Sequence, residues 1–323
     1  MENLSIVTPN QGAASDLDDE YDVIILGGGP AGLTSAIYSS RANLKTLLIE
    51  KATIGGEAAI TDLIENYPGF PEGINGFELA ERMREQAEKF GTKIIYSLPM
   101  SLELKNQPKV ISFNKIDVKT KSVIIAEGTS PKRLNIPGEK EFRGHGVSYC
   151  ATCDGPLFTG KDIAIIGCGN SGFQEGLFIL RFVKKLTMVE YLPTIQAEKI
   201  LQDRMKKHDN VDCLLNHQII SINGNKQVSS ISVKDRDTEE VKQIPVDGVF
   251  IYAGLTPNTS NIKGLVKLNQ WGYIVTDQKM ETSQPGVFAA GDIRDTELRQ
   301  VATAIGDGAI AAASAQHYID GLP

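Results

Sequence analysis

The chain has 323 residues, of which 41% are hydrophobic and 23% charged, and its net charge is −7. That length exceeds what one hydrophobic core usually serves and implies two domains. The acidic balance argues against bulk nucleic-acid binding, which needs a basic surface to displace counterions, and no apolar run is long enough to span a bilayer.

Residues 1–19 are polar, end in an acidic cluster and lack the basic start and apolar stretch of a secretory signal. They are expected to form a loose tail on a cytoplasmic protein. Asp22 to Leu26 reads as a buried parallel strand. Gly27-Gly28-Gly29-Pro30-Ala31-Gly32 follows it, and Pro30 stands where a helix starts without wasting a backbone donor. Leu33 to Ser40 continues that helix, and Thr46 to Ile49 forms the next strand, closed by Glu50. This is the βαβ unit of a dinucleotide fingerprint. Gly29 lets the backbone approach a pyrophosphate, Gly32 lets helix and strand pack closely, and Glu50 accepts from a ribose hydroxyl. Phe77 to Phe90 reads as an amphipathic helix and Ser122 to Ala126 as a strand.

The turn-rich segment Gly128 to Pro131 is a candidate hinge. Beyond it the nucleotide plan repeats. Asp162 to Ile166 is a strand, Gly167-Cys168-Gly169-Asn170-Ser171-Gly172 a second turn, Phe173 to Phe182 a helix and Leu186 to Val189 a strand. Glu190 lies as far beyond Gly172 as Glu50 lies beyond Gly32. One glycine fingerprint is weak evidence; two copies in the same context are strong. Glu198 to Lys207 reads as a helix, and Ile219 to Ile222, Ser230 to Val233 and Val241 to Ile244 as a small capping sheet. Gly248 to Tyr252 is a strand, and Ala253 to Asn258 a second hinge. Val287 to Ala290 is a strand with Asp292 past its carboxyl end, where α/β proteins place ligand-binding residues. The expected fold is α/β with two Rossmann-like dinucleotide-binding domains, the second inserted into the first. The boundaries fall at 20–129 with 255–323 for the first and 130–254 for the second.

Cys150-Ala151-Thr152-Cys153 lies ahead of the second fingerprint, followed directly by Asp154. Disulfide exchange needs an accessible thiolate, and a CxxC keeps a resolving thiol within reach. An adjacent acid supplies a proton exchanger. The alternative, a zinc half-site, lacks the two further ligands zinc requires; Cys168 and Cys213 have no CxxC partner, and no metal is expected. Cys168 is read as a small side chain in a tight turn, and Cys213 as a strand residue in the core. His145, His208, His217 and His317 receive no catalytic role.

Glu65-Asn66-Tyr67-Pro68-Gly69, Cys150 to Gly155, Gly286 to Asp292 and Arg299 to Ala304 join the first fingerprint in one pattern. With them the chain, from Tyr21 to Leu322, resembles the low-molecular-weight thioredoxin reductases, a branch of the two-dinucleotide-binding flavoproteins. The resemblance implies FAD held by Gly27, Gly29, Pro30, Ala31, Gly32, Glu50, Lys51, Glu57, Asn66, Gly291 and Asp292, with Arg299, Gln300 and Val301 lining the isoalloxazine. It implies that Cys153 faces the flavin, that Cys150 attacks the protein substrate, and that Asp154 protonates a leaving thiolate. It also implies a homodimer, a thioredoxin or thioredoxin-like partner, and an inserted domain that swings between flavin reduction and substrate access.

One departure concerns the electron donor. Where the family carries a His-Arg-Arg run and a later Arg for the 2′-phosphate of NADPH, this chain has Glu190-Tyr191-Leu192 and Gln196. A carboxylate about 4 Å from a phosphate charge costs on the order of 4 kcal/mol at an effective dielectric near 20. The substitutions disfavour NADPH. NAD(H) fits Glu190 directly, with the second loop of Gly167, Gly169, Asn170, Ser171 and Gly172 as its cradle. Reduced ferredoxin is the other donor, as in family relatives without a working nucleotide site. The drop from about −400 mV to about −270 mV releases roughly 6 kcal/mol per electron pair. Other readings are a flavin disulfide oxidoreductase serving another dithiol protein or a peroxide-reducing partner, and a flavin redox-sensing module without turnover. Glu127 stands where a Thr is common and has no explanation at this level.

Overall fold

The computed structural model describes residues 17–113 and 116–323, so the expected tail lies outside the described residues except for Leu17 to Asp19. The chain divides into two compact units: one runs to Ser130 and resumes over Pro257–Pro323, and the other is Pro131–Thr256. Each is α/β, as the sequence implies.

The first unit opens with strands β1 (Glu20–Leu26), β2 (Thr46–Glu50), β3 (Lys93–Tyr96), β4 (Ser101–Glu103), β5 (Lys109–Ser112) and β6 (Asp117–Ile125), with helices α1 (Pro30–Arg41), α2 (Gly56–Ala59) and α3 (Gly76–Lys89) between them. β7 (Thr129–Pro131) leads out. The second unit holds β8 (Val147–Ser148), α4 (Ala151–Asp154), β9 (Asp162–Ile166), α5 (Asn170–Ile179), β10 (Lys185–Val189), α6 (Lys199–Met205), β11 (Val211–Leu214), β12 (His217–Gly224), β13 (Val228–Asp235), β14 (Val241–Pro245) and β15 (Gly248–Ile251). β16 (Leu255–Pro257) leads back and pairs with β7, and the first unit ends with β17 (Val287–Ala289) and α7 (Val301–Asp320).

The first sheet has the order β3-β2-β1-β6-β5-β4, with β17 also on β6. β6 starts earlier than the sequence reading placed it. Its first half alternates exposed and buried residues and pairs antiparallel with β5; its apolar second half pairs parallel with β17. That split puts the end of β17 level with the end of β1, one strand away across β6. Val23 and Ile25 face one core cluster, Ile24 and Leu26 the other, so β1 is buried on both sides. The second unit repeats this arrangement. Its parallel sheet runs β11-β10-β9-β15-β8, and the expected small sheet is the antiparallel β12-β13-β14. Ile163 and Ile165 face one cluster, Ala164 and Ile166 the other. In both units the alternation aims the central strand's carboxyl end at the glycine turn.

α3 is the expected amphipathic helix, and Asn75 caps it by accepting from the amides of Phe77 and Glu78. α7 lies against α1 at a distance set by small residues: a Cβ on Gly308 would come within 2.3 Å of the Ala31 carbonyl oxygen. Ser35 Oγ uses that approach to donate to Gly308 O at 3.1 Å. Among the described residues no helix is long and apolar enough to cross a membrane.

Ile165 is fully buried at the centre of the second unit's sheet. Ile165→Ala is expected to cost that unit about 2–5 kcal/mol. Urea unfolding followed by circular dichroism should show an early transition; an unchanged profile would contradict the placement of this core.

Candidate functional site

In the first unit the turn Gly27 to Gly32 carries two glycines the fold itself demands. A Cβ on Gly27, at φ +102°, would lie 2.4 Å from Ala126 O, and one on Gly32 would lie 1.9 Å from Gly27 O. Gly29 is different. Its backbone is extended, and a Cβ there would meet nothing nearer than Gly55 O at 4.0 Å. The space in front of it is open. α1 begins at Pro30 with Gly29 as N-cap, and no side chain caps its first turn. Amides at an uncapped helix start, behind a glycine facing space, are what a pyrophosphate cradle requires.

Glu50, 7% exposed, closes the site. Its Oε2 accepts from the Gly28 amide at 2.7 Å and its Oε1 from the Ala52 amide at 2.8 Å. The second unit has the same geometry. A Cβ on Gly167 would lie 2.3 Å from Tyr252 O and one on Gly172 2.0 Å from Gly167 O, whereas one on Gly169 would meet nothing within 4 Å. Glu190, 8% exposed, accepts from Cys168 N at 2.6 Å and Leu192 N at 3.0 Å. Glu190 is therefore not a residue solvating a strand end; it is built into the loop as Glu50 is. At the start of α5, Asn170 and Glu198 bond reciprocally, side chain to side chain at 3.0 Å and Glu198 N to Asn170 Oδ1 at 2.8 Å. Ser171 is exposed beside them.

Gly291 from the rest of the first unit's set lies against α1, and the others pair with one another. Gly291, at φ +74°, sits so close to α1 that a Cβ would be 2.9 Å from Ala31 Cβ. Asp292 follows it, and burial pushes its pKa up to about 6; Arg299 opposes the rise and Asp307 adds to it. Glu57 is also raised, first by burial and then by the Asp292 charge, with Lys51 opposing. Asn66 Nδ2 donates to Gln300 Oε1 at 2.9 Å, and Gln300 N-caps α7 directly before Val301. Arg299 stacks 4.3 Å from the Tyr273 ring, and its buried Nε has no hydrogen-bond partner. Half-buried Asp292 and exposed Glu57, both with raised pKa, and an unsatisfied guanidinium nitrogen beside an open cradle fit a polar ligand with ribityl hydroxyls and ring nitrogens, which FAD supplies.

Cys150 and Cys153 are disulfide-bonded. Cys150 is half-buried as the N-cap of α4, and Cys153 is exposed. In a disulfide neither sulfur is the thiolate a zinc site needs. Asp154 Oδ2 accepts from Ser148 Oγ at 2.6 Å, and Ser148 Oγ in turn accepts from Cys150 N at 3.1 Å. Ala151 N donates to Tyr252 Oη at 2.9 Å. The acid is thus tied to the backbone of the redox pair through one hydroxyl.

Several participants escaped the sequence reading. Asp307, 7% exposed, accepts from Gly291 N at 3.1 Å and forms a two-point pair with Arg294 at 2.5 and 2.8 Å. An acid alone in the apolar run of α7 was the available signal. Glu127 gains its explanation: its carboxylate accepts from Asn261 Nδ2 at 3.0 Å while its carbonyl accepts from Asn258 Nδ2 at 2.8 Å. Two expectations need correction. Cys213 lies on a strand, but β11 is the sheet edge, and Cys213 is exposed rather than in the core. Positive charge is also not wholly lost from the second site. Arg236, in the turn after β13, lies 3.8 Å over the Tyr191 ring and donates to Tyr191 O at 3.0 Å.

Comparison with known proteins gives three concordant findings. Residues 21–308 match the family model described as pyridine nucleotide-disulphide oxidoreductase. The chain is 45% identical to the thioredoxin reductase of Bacillus subtilis, over 94% of this chain and 96% of that protein. It superposes on the crystal structure of Lactococcus lactis thioredoxin reductase in its FR conformation with a TM-score of 0.91 at 39% identity, covering 94% of this chain and all of the other. Against the T. acidophilum thioredoxin reductase structure the TM-score is 0.89 at 41% identity, covering 95% of this chain and 100% of that one.

Gly29→Ala is expected to fold with ligand-free stability close to the parent, since no protein atom opposes the added methyl, but to hold FAD at least about tenfold more weakly. Gly32→Ala, which collides with Gly27 O, should lose fold stability itself. Equilibrium dialysis and thermal unfolding separate the two; equal loss of stability in both would contradict the cradle. Asp292 keeps its proton to higher pH when folded than when unfolded. Its contribution to ligand-free stability is complete below the usual carboxylate range and is lost as pH rises through about 6. Asp292→Asn should therefore raise ligand-free stability at pH 7 and flatten the profile between pH 4 and pH 7, on the scale of the usual and raised carboxylate values. A steeper profile in the variant contradicts this.

Proposed function

The chain belongs to the pyridine nucleotide-disulphide oxidoreductase family, and from that we infer that it is a FAD-dependent thioredoxin-disulfide reductase. The observation that carries the reading is the combination, in one chain, of an FAD-fitting cradle and a CxxC disulfide with its own tethered acid. Bound FAD would accept electrons from the donor and pass a pair to the disulfide. Gly27, Gly29 and Gly32 would carry its pyrophosphate, Glu50 its ribose, and Asp292, Glu57, Asn66, Arg299, Gln300 and Val301 its flavin half.

The protein's own part is sulfur and proton chemistry. Reduction of the Cys150–Cys153 bond leaves two thiols. One, assigned to Cys150, attacks a disulfide sulfur of thioredoxin and expels a thiolate. Cys153 then attacks Cys150 to restore the bond and release the second thiolate. Asp154, oriented by Ser148, is placed to exchange the protons this requires. The family's homodimeric assembly is carried over as part of the same reading.

For the donor, the intact second loop favours a pyridine dinucleotide, and Glu190 favours NADH within that class. The carboxylate has both oxygens on loop amides and retains lone pairs for ribose hydroxyls, whereas a 2′-phosphate would meet its charge. Arg236 beside Tyr191 offsets part of that repulsion, not the loss of the family's arginines. Reduced ferredoxin is the competing donor.

In anaerobic mixing of the flavin-loaded protein, NADH is expected to bleach the flavin at least about tenfold faster than NADPH at equal subsaturating concentration, on the scale of the charge penalty. Faster bleaching by NADPH would overturn the role given to Glu190, and bleaching by reduced ferredoxin alone would move the donor to that protein. Cys153→Ser should retain FAD and lose thioredoxin reduction; retained turnover would remove the disulfide from the reaction.

A further inference from the structure

The two remaining cysteines, 45 residues apart in sequence, are brought together. Cys168 Sγ and Cys213 Sγ lie 3.8 Å apart. The parallel register explains it. Cys213 on β11 pairs with Met188 on β10, Met188 pairs with Ile165 on β9, and β9 runs directly into Gly167-Cys168. Cys168 is fully buried beneath the second glycine turn, among Ile165, Phe173 and Ala197, and Cys213 is exposed on the sheet edge. One thiol is thus open to solvent and the other waits behind it, the arrangement of an attacking and a resolving sulfur.

The place is also significant. The Cys168 amide holds Glu190, and its carbonyl accepts from Gln196 N at 3.2 Å and Ala197 N at 3.1 Å. Any covalent change at its sulfur acts on the backbone of the nucleotide loop itself.

We propose that Cys168 and Cys213 form a second thiol–disulfide site, oxidised by small-molecule or protein disulfides, whose closure restricts dinucleotide binding at the second loop. The regulatory half rests on the reading that this loop takes a pyridine dinucleotide. The Cys213 thiolate attacks the incoming disulfide, forming a mixed disulfide and expelling one thiolate. Cys168 then attacks the Cys213 sulfur, forming the Cys168–Cys213 bond and expelling the second. Two thiols are oxidised, one disulfide is reduced to two thiols, and the two protons end on the products. Cys213 is the thiol that ionises: it is the exposed one, and its contact with Cys168 holds its pKa below the usual thiol value. The same contact, burial and the Glu190 charge push Cys168 up. Bond formation draws the sulfurs from 3.8 Å to about 2.05 Å. The glycine turn is tightly packed where it would have to absorb this, since neighbouring carbonyls leave no room even for a Cβ on Gly167 or Gly172.

The test uses the full-length flavoprotein with its Cys150–Cys153 bond intact, treated with glutathione disulfide and mapped by mass spectrometry without reduction. The expected result is a peptide pair cross-linked through Cys168 and Cys213, reversed by dithiothreitol. Cys168→Ser should instead keep one glutathione on Cys213. Parent protein that ends with glutathione on Cys213, or with both thiols free, overturns the site. In calorimetric titration with NADH, the cross-linked protein should bind at least fivefold more weakly than the reduced protein, and Cys213→Ser should be indifferent to the oxidant. Equal affinity in both forms overturns the regulatory half. If the reduced protein binds neither NADH nor NADPH, the reading of the second loop fails and takes the regulation with it, while the peptide map still decides the disulfide.

Discussion

A carboxylate at the end of one strand gripping the amide of a glycine turn at the end of the next organises both halves of this molecule. Glu50 and Glu190 are buried charges, which is costly unless every oxygen finds a donor. Each has one oxygen on the loop's second residue and the other on a residue two positions beyond itself. Charge-assisted bonds of this kind are worth about 1.5–3 kcal/mol each, enough to hold the turn against its strand. The glycine positions and the aim of the helix start depend on that clamp. The acid therefore serves the protein before it serves a ligand.

The glycines separate into two kinds by what forbids a side chain. At Gly27, Gly32, Gly167 and Gly172 the protein's own carbonyls stand where a Cβ would go. At Gly29 and Gly169 they do not. At the start of a helix, a backbone left bare where its own fold would accept a methyl leaves room for a ligand to come close. The same inference holds for the charges near Asp292 and Glu57, which repel one another in the protein alone, and for Arg299 Nε. On the proposed reading these groups serve bound FAD rather than ligand-free stability.

What the sequence disclosed was local. Glycine spacing, an acid at a fixed distance, Pro30 at a helix start and a CxxC followed by an acid are patterns within a few tens of residues, and each found its place. What it concealed was pairing between common residue types distant in the chain. Ser148 and Tyr252 orient the CxxC, Arg294 and Asp307 brace Gly291, and Asn261 answers the carboxylate of Glu127. None of these residues is unusual where it stands; each acquires its role from a partner brought near by the sheet. Cys213 was misplaced for a related reason. A short strand with apolar ends reads alike at the centre and at the edge of a sheet, and only strand order separates the two.

The two halves also show how a duplicated plan diverges without losing its clamp. Both turns need an amide at their second position to hold the acid, and neither needs a particular side chain there. In the first unit a Cβ on Gly28 would come 2.6 Å from Ile54 Cδ1, so that side chain would have to move. In the second unit Cys168 occupies that second position, fully buried, with its amide still bonded to Glu190. Space released under one turn thus admitted a thiol without disturbing the backbone bond that defines the turn. The neighbouring edge strand placed a second thiol against it. The first unit has no thiol at that place, so the proposed redox sensitivity belongs to the second turn alone.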